Sequence, residues 1–212
     1  MIIGLIIFLV ILFILIVYLM FYHQISLLCE KIFFKHKVAK KLYKIAKDND
    51  YYLLNKVAIN IEGKIIHFDH LLFGNKYIYC IGVNYYSVAI NGRLNDKKWF
   101  HYKSNNGFDY INNPMRIHRE RVNYFSSLTG SSSDIFVSTI VINDSCLIED
   151  NNYKYDKIIN LKNLSRLVKD YENENVEVID PSTLDKLVHD VYEKGIEKYL
   201  FNFLYFCFHW FR

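Results

Sequence analysis

The chain has 212 residues, a formal net charge of +4, 52% hydrophobic and 17% aromatic residues. Four cysteines, Cys29, Cys80, Cys146 and Cys207, lie far apart without paired spacing, which fits a reducing compartment and argues against a Cys-rich zinc centre. No Gly-rich phosphate loop, His-x-x-x-His pair or Ser-His-Asp grouping is present to support those enzyme classes.

From Ile2 to Tyr22 no residue is charged and nearly all are Ile, Leu, Phe, Val, Met or Tyr. At ~1.5 Å per residue this length crosses a hydrocarbon core of roughly 30 Å. A cleaved leader would carry a basic start, a shorter apolar core and a small-residue cleavage site, and none is found. The expected anchor therefore covers 1–23. The basic juxtamembrane helix expected over 24–50 holds Lys31, Lys35, Lys37, Lys40, Lys41, Lys44 and Lys47 against Glu30 and Asp48. By the positive-inside rule, this predicts a single-pass protein of the cell membrane with its N-terminus outside and the following domain in the cytoplasm. The positive charge comes largely from these lysines, so the lipid bilayer is the first partner it implies.

After Asp48-Asn49-Asp50, runs of β type follow: Tyr52 to Ile61, Lys64 to Phe73, Lys76 to Asn84, Ser87 to Ile90 and Lys98 to Tyr102. The turns Glu62-Gly63, Gly74-Asn75 and Asn91-Gly92 are short enough for one antiparallel meander. Asn113 and Pro114 supply a cap and a first-turn proline for a helix to about Leu128. Strands are expected at Asp134 to Ile142 and Cys146 to Ile148, and helices at Leu161 to Tyr171 and from Ser182 to Tyr199. The last residues, 199–212, are aromatic and too short to span, which suits the membrane interface or packing on the core. The fold class is α/β, a mixed sheet flanked by helices.

Between Val57 and Phe125 the order of landmarks resembles the nuclease-related domain (NERD) family of bacteria, which has a restriction-endonuclease-like fold. The landmarks are Phe68-Asp69-His70-Leu71-Leu72 after Gly63, the strand Tyr77 to Tyr85 followed by Ile90-Asn91-Gly92, then Lys98-Trp99, and Asn113-Pro114-Met115. The resemblance implies a domain over 51–180; the C-terminal helix expected from the apolar spacing after Pro181 follows it over 181–198. The resemblance also implies phosphodiester cleavage by a divalent metal, held by an Asp on one strand and a Glu-x-Lys on the next.

Asp69 matches that Asp, but the Glu-x-Lys falls on Gly82-Val83-Asn84, where glycine offers no ligand and Asn84 no positive charge. The family's early Gly-Glu pair has no acidic counterpart around Lys35 to Val38, and Ile117 stands where a Gln is usual. The expectation is a pseudoenzyme with no metal or other cofactor, acting as a binding or scaffold module for an unidentified protein or nucleic-acid partner. Magnesium or manganese would be required only under the alternative of a divergent nuclease acting on DNA or RNA. His67 and Asp69 share a strand face near Glu62, but two ligands hold a metal weakly, and Asp69 more simply bonds backbone donors. Arg116, His118, Arg119 and Arg121 crowd the start of the helix after Pro114. The arginines are candidate nucleic-acid contacts, set against a solvated face with Glu120 as partner.

Overall fold

The computed structural model describes residues 2–61, 63–103, 107–148 and 156–194. Glu62, a neighbour of the candidate His67–Asp69 pair, and the aromatic tail at 199–212 lie outside the described residues. The chain divides into two units, Met1–Lys37 and Val38–Arg212. Helix α1 (Ile2–Asn49) supplies the whole of the first. Its side chains from Ile6 to Tyr22 are apolar and turned outward where described, with Phe13 67% exposed. Taken singly, no helical segment among the described residues is long and apolar enough to cross a membrane. The segments Ile6–Leu19 and Gln24–Asn49, inclined at 56°, meet the length and composition together.

In the second unit, α1 ends on a buried stripe of Val38, Leu42, Ile45 and Ala46, spaced for one helix face. A five-stranded sheet follows, built from β1 (Tyr52–Ile61), β2 (Lys64–Phe73), β3 (Ile78–Asn84), β7 (Phe136–Ile142) and β9 (Asp156–Asn160), in that spatial order. The first three strands are antiparallel, and β3, β7 and β9 run parallel. The expected meander does not continue past β3. Instead β4 (Ala89–Asn91), β5 (Lys98–Tyr102) and β6 (Phe108–Asn112) form a second sheet, closed by β8 (Leu147–Ile148) pairing in parallel with β4. Strands β6 and β9 are not anticipated by the sequence pattern. The first lies just before the Asn113 cap, and both are five-residue runs without a strong apolar alternation.

Helices cover both faces of the larger sheet. On one side α2 (Pro114–Thr129) and α4 (Pro181–Lys194) bring Val122, Phe125, Leu187 and Val191 onto Phe68, Leu71, Ile78, Cys80 and Phe136. Because strand side chains alternate, Tyr79 points the other way, where its hydroxyl donates to Val168 O at 3.3 Å and Glu172 Oε1 at 2.8 Å on α3 (Leu164–Glu172). Lys41 near the end of α1 donates to Leu161 O at 2.7 Å, fastening that helix to the start of α3.

One irregularity shapes the site. The β1–β2 ladder passes from Asn55 opposite His70 to Val57 opposite Phe68, while Lys56 takes a left-handed φ of 52°. Ile66 and Phe68 enter the core on one side of this point, and Leu71 and Phe73 enter the same core on the other. The inward face therefore changes parity between Phe68 and Leu71, at Asp69.

Candidate nuclease corner

Asp69 lies one step beyond the end of the β2–β3 ladder, where His70 stands opposite Ile81, and this places it beside Gly82. Its Oδ2 accepts from the backbone N–H of Val83 at 2.8 Å. Here a carboxylate takes the place of a strand carbonyl, because the two strands part and the amide would otherwise lose its ladder partner.

Gly82 faces α2. A Cβ built on it would meet the Cε1 and Nδ1 of His118 at 3.4 Å and Ile140 Cγ1 at 3.7 Å, which is ordinary van der Waals contact. Two residues on, Asn84 donates from Nδ2 to the Tyr86 hydroxyl at 3.2 Å. The strands thus bring an acidic β2 residue alongside β3 positions that carry no acid and no base.

His118 stands among arginines in the sequence, but it is buried and belongs to the corner. Its Nε2 lies 2.8 Å from the carbonyl of Cys80; a carbonyl only accepts, so Nε2 carries the proton and Nδ1 is left with the lone pair. Burial is the main cause that pulls its pKa down to about 4; Arg121 pushes the same way, while the Cys80 bond and Asp69 oppose. The ring is neutral at pH 7. The signal that separates it from the arginines is spacing: His118, Val122 and Phe125 recur at i, i+4 and i+7, the stripe of a core-facing helix.

The three arginines do not converge. Arg116 pairs with Glu120 one turn along, with Nε to Oε1 at 3.3 Å. Arg119 reaches Asp156 on β9 at 3.6 Å, and Arg121 donates to the His67 carbonyl at 3.2 Å. Desolvation raises the Asp156 carboxyl above its usual range, against the pull of Arg119. His67 is exposed.

The remaining landmarks meet at a different place. Trp99, nearly fully buried, donates from Nε1 to Arg93 O at 2.8 Å. Asn113 Nδ2 donates to Arg93 O, Leu94 O and Asp96 O at 3.3, 2.7 and 2.7 Å, while its Oδ1 accepts from Arg116 N at 3.0 Å and caps α2. The indole lies so close over Gly92 that a Cβ there would come within 2.2 Å of Trp99 Cδ1. Gly92, Trp99 and Asn113 therefore tie the loop before β5 to the start of α2.

A family model described as the nuclease-related domain matches residues 31–143. The chain belongs to the NERD family. The match runs from α1 through β7 and contains the corner and the Gly92–Trp99–Asn113 tie. No curated protein and no solved structure matches the chain.

The donor set does not fit the divalent ion that NERD chemistry implies. Asp69 already accepts the Val83 amide, Gly82 has no side chain, and Asn84 offers a neutral carboxamide. Among the described residues, no group of three or more His, Cys, Asp or Glu side chains is placed to hold a metal ion.

Proposed function

We propose that this chain is a membrane-anchored NERD protein whose nuclease corner is catalytically silent, and that it serves as a binding or scaffold module at the cytoplasmic face of the cell membrane. The observation that carries the reading is the pairing of Asp69 with the Val83 amide beside Gly82. The residue at the family's metal-binding position braces a strand, and the neighbouring position that would share the ion is glycine. Hydrolysis needs a positioned dication to lower the pKa of the attacking water and to neutralise the phosphate, and one carboxylate leaves such an ion mostly bound to water. The order α1, three antiparallel strands, α2 and the parallel strand β7 supports a restriction-endonuclease-like scaffold.

The outward apolar side chains from Ile6 to Tyr22 and the seven lysines after them support the anchor, with the N-terminus outside. Arg116, Arg119 and Arg121 turn to three different partners, Glu120, Asp156 and the His67 carbonyl, so α2 offers nucleic acid no single converging cluster of guanidinium groups.

The test is the full chain in detergent or nanodiscs, incubated with labelled single- and double-stranded DNA and RNA and magnesium or manganese, beside Asp69→Ala. No cleavage is expected. Metal-dependent cleavage abolished by that substitution would overturn the silent reading. Protease added outside intact cells should leave the domain uncut, and its digestion there would sink the topology.

A further inference from the structure

The β5–β6 hairpin lies at one edge of the smaller sheet and turns two different faces. Trp99 points inward, whereas Phe100 and Tyr102 on β5 and Phe108 and Tyr110 on β6 point outward, with Phe100 opposite Tyr110 and Tyr102 opposite Phe108. These four rings are 37%, 40%, 53% and 60% exposed. Three of them lean on one another, with centroids 4.9 Å apart for Phe100 and Tyr110, 5.7 Å for Phe100 and Phe108, and 5.8 Å for Phe108 and Tyr110. An exposed patch of roughly 300–600 Å² is as large as a monomer usually shows and commonly marks a contact surface.

We infer that this aromatic ribbon is a docking surface for an anionic lipid bilayer, an inference that rests on the membrane anchor proposed above. Three observations choose the lipid. The rings meet at 46°, 61° and 85°, so they make an apolar knob and not a set of parallel ledges on which successive bases could stack. Exposed Lys98 lies on the same face, and Arg93, Lys97 and Lys103 are exposed in the adjoining chain; against these four cations stand two exposed carboxylates, Asp96 and Asp109, the latter paired with Lys103, so the surround keeps a net positive charge. That arrangement of aromatic centre and basic surround matches the headgroup region, where Phe and Tyr bury ring area and each nearby Lys adds on the order of 1 kcal/mol of attraction to anionic lipid. A tether also raises the local concentration of bilayer around the domain, so a weak surface is sufficient.

The experiment uses the full chain in nanodiscs of anionic lipid, with and without bromine on the acyl chains. Tyr110→Trp adds a fluorophore at the ribbon; Leu147→Trp adds one at a 70% exposed position on β8, the opposite edge of the sheet. Brominated lipid is expected to remove most of the fluorescence added at position 110 and little of that added at 147. Absence of quenching at 110, or equal quenching at both, overturns the ribbon. Alkaline carbonate extraction scores the anchor separately: release by carbonate with quenching at neutral pH would fail the anchor and keep the ribbon, while retention without quenching would do the reverse. Binding of a labelled oligonucleotide, or a concentration-dependent dimer, that is lost in Tyr110→Ser would reassign the surface and also overturn the lipid proposal.

Discussion

His118 Nε2 donates to the carbonyl of Cys80 at 2.8 Å, joining α2 to the middle strand of the larger sheet through a ring that burial keeps neutral. The folded pKa, about 4, lies below the ordinary value of 6.5. Between those values the unfolded chain takes up a proton that the folded chain does not, so stability falls as pH drops through that window. Each pH unit inside it is worth ~1.4 kcal/mol, so the loss by pH 4 is on the order of 3 kcal/mol. His118→Gln keeps a donor for Cys80 and cannot titrate. Its unfolding free energy should change less steeply between pH 6.5 and 4, which chemical denaturation of both proteins over that range would measure.

Replacing Asp69 separates bracing from chemistry. Asp69→Ala leaves the Val83 amide without its acceptor and should cost about 1–2 kcal/mol, while Asp69→Asn retains an acceptor oxygen and should cost less. Equal, negligible losses in thermal unfolding would remove the bracing role.

Gly92 and Gly82 should respond oppositely to the same small change. Gly92→Ala drives a Cβ into the Trp99 indole, and a loss of about 1–3 kcal/mol with an altered near-UV signal is expected. Gly82→Ala places its Cβ at ordinary contact distance from His118 and should be nearly neutral. Chemical denaturation of the pair tests this; comparable losses would refute the difference.

Thr139 on β7 is fully buried, and its hydroxyl has no hydrogen-bond partner among the described residues. Thr139→Val keeps the shape and removes the orphaned group, and a gain of about 1 kcal/mol is expected in equilibrium unfolding. A loss instead would mean the hydroxyl is satisfied in solution.

How much of the fold and the corner is legible in the sequence varies with the range of the interaction that decides it. Turns at Glu62-Gly63 and Gly74-Asn75 are local, and they mark the hairpins β1–β2 and β2–β3. The change of sheet after Asn84 is not legible, because three-residue β4 is fixed by β8, more than fifty residues later. The family landmarks are readable as a series but not as contacts, since nothing in the spacing of Gly92, Trp99 and Asn113 says that the second and third share the Arg93 carbonyl. Among the basic residues that open α2, only helical phase with Val122 and Phe125 sets His118 apart.

The parity change at Asp69 divides β2 into two halves that obey different substitution rules. In the outer half, Ile65 and His67 alternate outward from Ile66 and Phe68, so odd positions accept polar or charged side chains. Beyond Asp69 every residue from His70 to Phe73 is buried, and the odd positions Leu71 and Phe73 join the core that Ile66 and Phe68 occupy at even ones. A lysine scan along the strand would therefore show a phase slip: tolerated at 65, disruptive at 71, although the two are an even number of residues apart. The hinge of that slip is the one acidic residue of the strand, so the side chain that accepts the Val83 amide stands where the two halves of its strand turn opposite ways.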